Sequence, residues 1–395
     1  MIPRHSLPFG AGKLFSVLVK SCPAGLQSDV EKAYADALGV RAALLLPSVR
    51  AGIHMSILAG VRPGNAAVGP AYTCATVHEA MALSGARSRL VDSAPDSFLM
   101  SSQEITSAAE QGCALVLSEV YGIPYDLSIL PAVYKDSPGV RILDMAMNIP
   151  SPVRMKQLEA MDVALFSFGW GKPMYAGWGS IACFQNTELA GRVREIRDSW
   201  AVPQSFGLRF QRSCSTFFRV AMNQRRLYGL WHEQHLYSLC KNIISSRNEQ
   251  GRATFALPHE WTYPMTALNR KLALHNLRHS AQNSELRRSQ AEIYSSSLVE
   301  TGIVRGPGNK ALPQSHFPIR VPSHTRNTMC DYLRGRGIDT STLFPLPAGL
   351  SHDCYPHAAK AAAEVITLPL GPNITLDEVR MVSQRVKDGL QARGC

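Results

Sequence analysis

Short, mainly apolar runs alternate with amphipathic segments through the first half of the chain. The apolar runs lie at 42–47, 67–70, 114–117, 140–143 and 163–168, and Arg89-Leu90-Val91-Asp92 is predicted as a further strand. Runs of this length are typical of strands that are buried in a parallel sheet. Segments with helical character precede or separate these strands. They lie at 28–38, after the turn at 48–52 through residue 58, at 104–110 and at 127–135. The pattern predicts a largely parallel sheet with a right-handed crossover at each step.

The first predicted helix, at 28–38, carries signals at both ends. Ser28 with Glu31 three residues later has the pattern of a capping box. Gly39 is a typical C-terminal stop.

The C-terminal third combines one long helix with shorter elements. These are predicted as a helix at 269–298, a strand at 316–321, a helix at 326–336 that stops at Gly337, and a strand, turn and helix at 368–379. The last helix begins with a second capping box, Thr375 with Glu378. We therefore predict a large domain at 1–262, which begins with an extended arm, and a linking helix and small α/β domain at 263–395.

Length, composition and charge limit the class of protein. The chain has 395 residues, of which 45% are hydrophobic, which suits one large and one smaller domain with a sizeable core. The net charge of +11 favours a basic soluble enzyme that binds anionic ligands. Binding to nucleic acid or to an anionic membrane surface is the alternative, but no zinc-finger spacing and no Lys/Arg run of five or more supports nucleic acid. No metal site is predicted.

Cysteine usage and the ends of the chain indicate a compartment. The nine cysteines include no C-x-x-C pair, which is typical of reduced thiols in a cytoplasm. The N-terminus has no apolar segment of the kind found in signal peptides, and no apolar run approaches the ~20 residues of a spanning helix. A cytoplasmic protein is therefore expected.

The candidate chemistry lies between two of the predicted strands. Asp144 ends the apolar run at 140–143, and Lys172 follows the run at 163–168 after a Ser-x-x-x-x-Lys spacing from Ser167. A lysine in a loop is usually a solvated surface group, and an Asp after a strand is usually a cap or turn former. Together they indicate a pyridoxal phosphate (PLP) site, because a lysine amine forms a Schiff base with PLP and a carboxylate holds its ring nitrogen protonated.

Three motifs resemble the DegT/StrS family of fold-type I PLP enzymes, which are mostly sugar aminotransferases. They are Asp144-Met145-Ala146, Ser167-Phe168-Gly169-Trp170-Gly171-Lys172 and Gly177-Trp178-Gly179-Ser180. The segments at 337–347 and 368–379 resemble the C-terminal motifs of the family. The resemblance extends from about 25 to about 390, apart from about 200–262. It implies an aspartate aminotransferase-like fold, with a mostly parallel seven-stranded sheet, a smaller C-terminal α/β domain and a homodimer whose sites lie at the subunit interface.

The resemblance also implies a set of cofactor contacts. Lys172 would form the Schiff base, Asp144 would hold the ring nitrogen and Ser167 would bind the phosphate. The remaining cofactor-binding candidates are Ser48, Val49, Arg50, Cys74, Ala146 and Met147. The turn at 48–52 opens a helix, and the backbone N–H groups of a helix N-terminus suit a phosphate.

Several of these positions depart from the family pattern. Val49 and Arg50 replace the Gly and Thr of Ser-Gly-Thr, Cys74 replaces an aromatic residue that stacks on the pyridine ring, and Met147 replaces a Gln near its hydroxyl. Either Tyr72 or Cys74 is expected to pack against the ring instead.

Further departures concern the substrate and the partner subunit. Glu119 stands where the family has His, and Trp178 replaces a common Glu; with Tyr72 they are the substrate candidates. Core packing and ligand stacking both remain open for Trp178. Pro264 falls near the place of an Asn that reaches the phosphate of the partner subunit.

A basic segment near 205–255 mixes aromatic residues with arginines. It predicts one or two amphipathic helices. These either pack on the large domain or on a dimer partner, or dock on a membrane surface or an acidic carrier protein.

The resemblance implies transamination from an amino acid, with L-glutamate as the donor expected from the family, to a keto substrate. A nucleotide-linked keto-sugar is the favoured acceptor. The alternatives are a PLP enzyme that acts on a non-sugar or carrier-bound carbonyl, and a degenerate relative without catalysis. A dehydratase is disfavoured because Lys172 stands where that group has His.

Overall fold

The computed structural model describes residues 1–18, 25–108, 111–127, 139–157, 159–233, 257–303, 315–347 and 349–392. Three predicted segments lie partly outside these residues. They are the helix at 127–135 beyond Leu127, the end of the helix at 104–110, and the basic segment beyond 233. The cysteines within the described ranges are free thiols.

A seven-stranded sheet forms the centre of the N-terminal part. Its strands are β1 (Ala42–Leu46), β2 (Ala66–Pro70), β3 (Arg87–Val91), β4 (Ala114–Ser118), β5 (Val140–Asp144), β6 (Val163–Ser167) and β7 (Ser180–Phe184). Their order is β1-β7-β6-β5-β4-β2-β3. Only β7 pairs antiparallel with its neighbours in this sheet, so the mostly parallel sheet predicted from the apolar runs is confirmed.

The N-terminal part also contains helices, several of which cover the two faces of this sheet. They are α1 (Ala11–Leu18), α2 (Leu26–Leu38), α3 (Val49–Gly60), α4 (Ala75–Leu83), α5 (Ser102–Ala108), α6 (Pro152–Gln157), α7 (Thr187–Trp200), α8 (Phe206–Met222) and α9 (Arg225–Glu233). Helix α3 lies very close to the strands, because a Cβ at Gly52 would be 2.8 Å from Leu165 and a Cβ at Gly60 would be 2.6 Å from Val140. These two glycines let α3 pack closely on the strands.

The start of α2 differs from the prediction. The helix begins at Leu26, and Ser28 donates its hydroxyl to the carbonyl of Gly25 instead of capping the helix. Glu31 accepts from the N–H of Leu45 at 2.9 Å and from Arg197 at 2.7 Å. The predicted capping box is wrong because Glu31 is used in these two tertiary contacts, whereas Gly39 ends the helix with φ 65° as predicted.

The C-terminal part contains a second, two-stranded antiparallel sheet of β8 (His316–Arg320) and β9 (Val365–Pro369). Its helices are α10 (Ala267–Arg278), α11 (Ser280–Leu298), α12 (Ser323–Arg334), α13 (Pro356–Glu364) and α14 (Leu376–Gln391). The single long helix predicted at 269–298 is therefore two helices, which meet at His279. The capping box of Thr375 and Glu378 is confirmed. Packed apolar side chains give this part a core of its own, and the boundary at 262/263 stays a prediction.

Among the described helices, none is both long enough and apolar enough to cross a membrane.

Candidate cofactor and substrate site

A cavity of about 260 Å³ lies at the carboxyl ends of β4, β5 and β6, beside the N-termini of α3 and α4. Polar groups at such strand ends and helix starts converge on ligands in open α/β sheets. The cavity brings together eleven of the twelve predicted site residues: Ser48, Val49, Arg50, Cys74, Glu119, Asp144, Ala146, Met147, Ser167, Lys172 and Trp178.

Tyr72 is the exception. It is buried, its hydroxyl lies 2.5 Å from that of Tyr121, and its ring packs on Phe98 and Phe344. Tyr72 does not line the cavity, so the expectation that it packs against a bound ring is wrong. Its side chain points into the aromatic cluster behind the cavity wall.

Phe344 lines the cavity and was missed from the sequence. Its backbone has φ 61°, and its ring lies 5.6 Å from that of Tyr121, which has φ 60°. Positive φ at bulky residues is rare and concentrates at functional sites. The two residues are far apart in the sequence, so only the folded chain reveals the pair.

Asp144 is fixed at the end of β5. Its carboxylate accepts from the N–H of Ala146 at 2.9 Å and from the hydroxyl of Ser118 at 3.2 Å. Burial raises the pKa of Asp144, while the Ala146 N–H, Lys172 and Ser118 act in the opposite direction. Ser118 was also missed, although it ends β4 directly opposite Asp144 and the matched strand ends could have identified it.

Lys172 lies in a tight turn after β6. Its N–H donates to the carbonyl of Gly169 at 3.3 Å, and its own carbonyl accepts from Tyr175 at 3.1 Å. Ser167 accepts from the N–H of Gly169 at 3.2 Å. These bonds hold the backbone of Lys172 and leave its side chain at the cavity, where Ser167 also lies.

In the neighbouring turn, positions 177 and 179 strongly favour glycine. Gly177 has φ 93° and Gly179 has φ 103°. A Cβ at Gly177 would be 2.5 Å from the amide nitrogen of Asn269, and one at Gly179 would be 2.4 Å from the sulfur of Met265. Both the backbone angle and the close contacts therefore explain the Gly-x-Gly spacing.

The N-terminal turn of α3 forms another wall. Ser48 caps the helix by accepting from the N–H of Ala51 at 3.2 Å, and Val49 and Arg50 follow in the first turn. Arg50 lies 3.3 Å from Glu260 and 3.8 Å from Glu79, so its charge is partly balanced. A capped helix N-terminus with an arginine beside it suits an oxyanion.

Two sulfur-containing side chains lie at positions where ring contacts were expected. Cys74 precedes α4, and its sulfur lies 3.2 Å from the hydroxyl of Thr76. The sulfur of Met147 accepts from the N–H of Tyr121 at 3.1 Å. Both side chains line the cavity as polarisable, weakly polar surface.

Glu119 is the more deeply buried of the two acids that line the cavity. It forms an ion pair with Arg154 and accepts from Asn148 at 2.8 Å and from the N–H of Tyr125 at 3.1 Å. Burial raises the pKa of Glu119 to about 7, against the effect of Arg154 and the other donors. A carboxyl group in this balance is sensitive to pH near neutrality.

The basic segment packs against Trp178, which lines the cavity. The guanidinium of Arg212 on α8 lies 4.7 Å from the ring of Trp178 and 5.0 Å from that of Tyr263. Thr216 on the same helix is buried beside Gly177. Within the described residues, the predicted amphipathic helices are thus α8 and α9, and α8 packs on the large domain beside the lysine turn.

The outer face of α8 carries exposed Phe206 and Phe210, whose rings stack at 6.4 Å. The predicted contact of this segment with a membrane surface, a carrier protein or a dimer partner stays a prediction.

One protein family matches the chain over most of its length. The model of the DegT/DnrJ/EryC1/StrS aminotransferase family matches residues 26–224 and 235–387. The family match is interrupted only at 225–234, so the expected loss of resemblance over 200–262 is wrong.

Solved structures of similar fold include several sugar aminotransferases. Spr1654 from Streptococcus pneumoniae, described as a sugar aminotransferase in its PMP form, is 16% identical with a TM-score of 0.74, and the match covers 99% of this chain and 100% of that chain. CalS13 from Micromonospora echinospora is 19% identical with a TM-score of 0.70, covering 98% and 100%. DesI, crystallised with its TDP-sugar product, is 18% identical with a TM-score of 0.69, covering 100% and 94%. These similarities confirm the expected fold.

Proposed function

Because this chain belongs to the DegT/DnrJ/EryC1/StrS aminotransferase family, we propose that it is a PLP-dependent aminotransferase that moves an amino group from L-glutamate to a nucleotide-linked keto-sugar. The observation that carries the proposal is one cavity lined by Lys172, Asp144 and the N-terminal turn of α3. The family match and the sugar aminotransferases of the same fold support it.

The residues of the cavity fit PLP. An oriented carboxylate, a lysine and a helix N-terminus are the three partners that its ring nitrogen, aldehyde and phosphate require, and they line a single cavity. When bound, PLP supplies an electron sink that lets an amino group be exchanged between carbon atoms. Asp144 would hold the ring nitrogen and Lys172 the aldehyde carbon. Ser167 and the turn of Ser48, Val49 and Arg50 would hold the phosphate.

Lys172 and Asp144 would have different roles in the reaction. With PLP bound, the amine of Lys172 would remove the proton at the substrate carbon and return it. Asp144 would keep a proton on the ring nitrogen of PLP, and the N–H of Ala146 and the hydroxyl of Ser118 hold its carboxylate in place. Cys74, Met147 and Phe344 line the same cavity and would limit the access of water to the reacting carbon.

The acceptor side of the proposal rests on the walls and on the charge of the chain. Trp178 lines the cavity, and the net charge of +11 favours a substrate with phosphate groups. DesI, of the same fold, has a TDP-sugar product. A homodimer, which the family resemblance implies, is part of the proposal and is tested by the mass of the purified protein in solution.

The test is an absorbance spectrum of the protein purified with PLP. We expect a band near ~420 nm from lysine-bound PLP, and we expect L-glutamate to move it toward ~330 nm. Lys172→Ala removes the response to glutamate, whereas Lys32→Ala, at an exposed position of α2, keeps it.

Other outcomes would redirect or refute the proposal. A ~420 nm band that ignores glutamate keeps the PLP site but excludes this donor. A band without amino transfer to any nucleotide-linked keto-sugar favours a non-sugar or carrier-bound carbonyl. If no band forms with added PLP, the chain is a degenerate relative without catalysis. Cys74 and Met147, which replace residues that contact the cofactor ring in the family pattern, would then support that hypothesis.

A further inference from the structure

The N-terminal arm is bound to the C-terminal sheet region. The N–H of Ile2 donates to the carbonyl of Gly337 at 2.7 Å, and the N–H of Asp339 donates to the carbonyl of Ile2 at 3.1 Å. Arg4 lies 3.4 Å from the carboxylate of Asp339. The first residues of the chain thus form a parallel bridge with the segment that follows α12.

Ser6 continues this attachment. Its carbonyl accepts from the buried guanidinium of Arg287 at 3.1 Å, and its hydroxyl accepts from the N–H of Asn373 at 2.7 Å. Arg287 belongs to α11 and Asn373 precedes α14. The arm is therefore held on both sides of His5 by the C-terminal part of the chain.

His5 itself faces the turn that carries Lys172. A Cβ at Gly171 would lie 2.9 Å from the His5 ring, and Gly171 has φ 75°. The ring of Trp170 forms a T-shaped pair with the same imidazole, with ring centroids 5.8 Å apart. The imidazole thus occupies the space that a side chain at position 171 would need, directly before the lysine.

A chain of hydrogen bonds leads from His5 to the C-terminal sheet. Its Nδ1 lies 3.2 Å from Nε2 of His316 on β8, and Nδ1 of His316 lies 2.8 Å from the hydroxyl of Ser315. The N–H of Ser315 donates to the carbonyl of Tyr121 beside the cavity. His316 and Ser315 are buried, so breaking this chain leaves polar atoms without water.

Both imidazoles are held neutral. Burial lowers the pKa of His5 to about 3, with Arg4 and Lys172 acting in the same direction and Asp339 against it. Burial likewise lowers the pKa of His316, helped by His5, Arg287, Lys172 and Arg4. The pair therefore presents uncharged hydrogen-bonding groups next to the lysine.

We propose that His5 and His316 are positioning residues that hold the Lys172 turn and couple it to the C-terminal sheet. Gly171 has no side chain because the arm supplies one in its place. A shift of β8 is transmitted through His316 and His5 to the backbone next to Lys172. The role assigned to Lys172 rests on the proposed function, but the coupling itself rests only on these contacts.

The first test needs no cofactor. Amide hydrogen exchange of the apoprotein is followed by mass spectrometry in the peptide 168–176, whose N–H groups close the lysine turn. We expect His5→Ala to speed exchange there about tenfold or more and to leave the strand at 140–144 unchanged. His78→Ala, which removes another imidazole with one carbonyl contact, should leave both peptides as in the wild type.

Conservative variants separate the hydrogen bond from the packing. His5→Asn keeps a polar atom near the position of Nδ1 and is expected to restore at least half of the protection. His5→Leu keeps the volume without the hydrogen bond and should restore less protection than His5→Asn. If His5→Ala does not fold, the comparison of the Leu and Asn variants decides the question.

The second test reads the lysine itself. The pH midpoint of the visible band of lysine-bound PLP should rise by about one unit in His5→Ala, because water entering beside Gly171 favours the charged form of the lysine nitrogen. His5→Asn should lie between, and His78→Ala should match the wild type.

The inference is overturned if exchange at 168–176 is unchanged in a folded His5→Ala protein, or if exchange rises equally in all peptides. If the wild type forms no PLP band but the exchange result holds, the proposed function fails and the coupling stands.

Discussion

Replacing Gly179 by alanine tests the geometry of the turn beside Lys172. The residue has φ 103°, and an added Cβ would lie 2.4 Å from the sulfur and 2.5 Å from Cγ of Met265, which is buried. A backbone in this region costs a residue with a Cβ about 1–3 kcal/mol. Forcing a methyl group into packed surroundings costs about 1–3 kcal/mol more.

We therefore expect Gly179→Ala to lower the free energy of unfolding by about 2–6 kcal/mol, a large share of the ~5–15 kcal/mol of a typical domain. Gly191→Ala is the matched control. Gly191 lies within α7 without a positive φ, and apart from the backbone of its own helix no atom lies within 4 Å of the place that its Cβ would take. Alanine should therefore stabilise the helix by about 0.5–1 kcal/mol.

Denaturant unfolding of the two variants measures this difference. Adding Met265→Ala to each background separates the two causes, since it removes the clash but not the backbone strain. The double-mutant cycle should give a coupling of about 1–3 kcal/mol between positions 179 and 265. An unfolding midpoint for Gly179→Ala equal to that of the wild type, or a coupling of zero, would refute the reasoning.

Three further outcomes are expected at the site. Asp144→Ala should slow the glutamate-dependent spectral change by roughly 10²–10³-fold, measured by stopped flow, while Ser118→Ala should slow it less than about tenfold because the Ala146 N–H still orients the carboxylate. Glu119→Gln should flatten the pH dependence of the free energy of unfolding between pH 4.5 and about 7, measured by denaturant unfolding. The raised pKa of Glu119 makes the folded wild type bind more protons than the unfolded chain in this window. The free energy of unfolding of the wild type therefore falls as pH rises from 4.5 to about 7, by at most about 3 kcal/mol. Trp178→Ala should raise KM for the keto acceptor about tenfold or more with little change for the amino donor, a split that steady-state kinetics resolves.

The strands and the polar residues at their ends could be predicted because they depend on local sequence. Apolar runs buried on both faces are recognisable without their partners, and Asp144, Ser167 and Lys172 lie at or just after the ends of such runs. Parallel strands place their carboxyl ends at one edge of the sheet, so these residues converge once the runs are strands. Eleven of twelve candidates consequently line one cavity.

The errors arose where a distant contact decided the outcome. Glu31 satisfies the capping pattern but is taken by Leu45 and Arg197. Tyr72 has the right residue type for a ring contact, yet its hydroxyl pairs with Tyr121 and turns the ring into the core. No local pattern in either segment identifies these partners.

The same reason explains why the support of the lysine was invisible in the sequence. In the sequence, Gly171 is one glycine of the motif that ends at Lys172. Only the fold shows that His5 of the arm fills the space that a side chain at this position would need. His5 and His316 are 311 residues apart and meet only because the arm crosses to the C-terminal sheet. A motif identifies which group reacts, whereas the groups that hold it come from whichever segments the fold brings beside it. For this chain, variants of the arm are therefore as informative about Lys172 as variants of the motif itself.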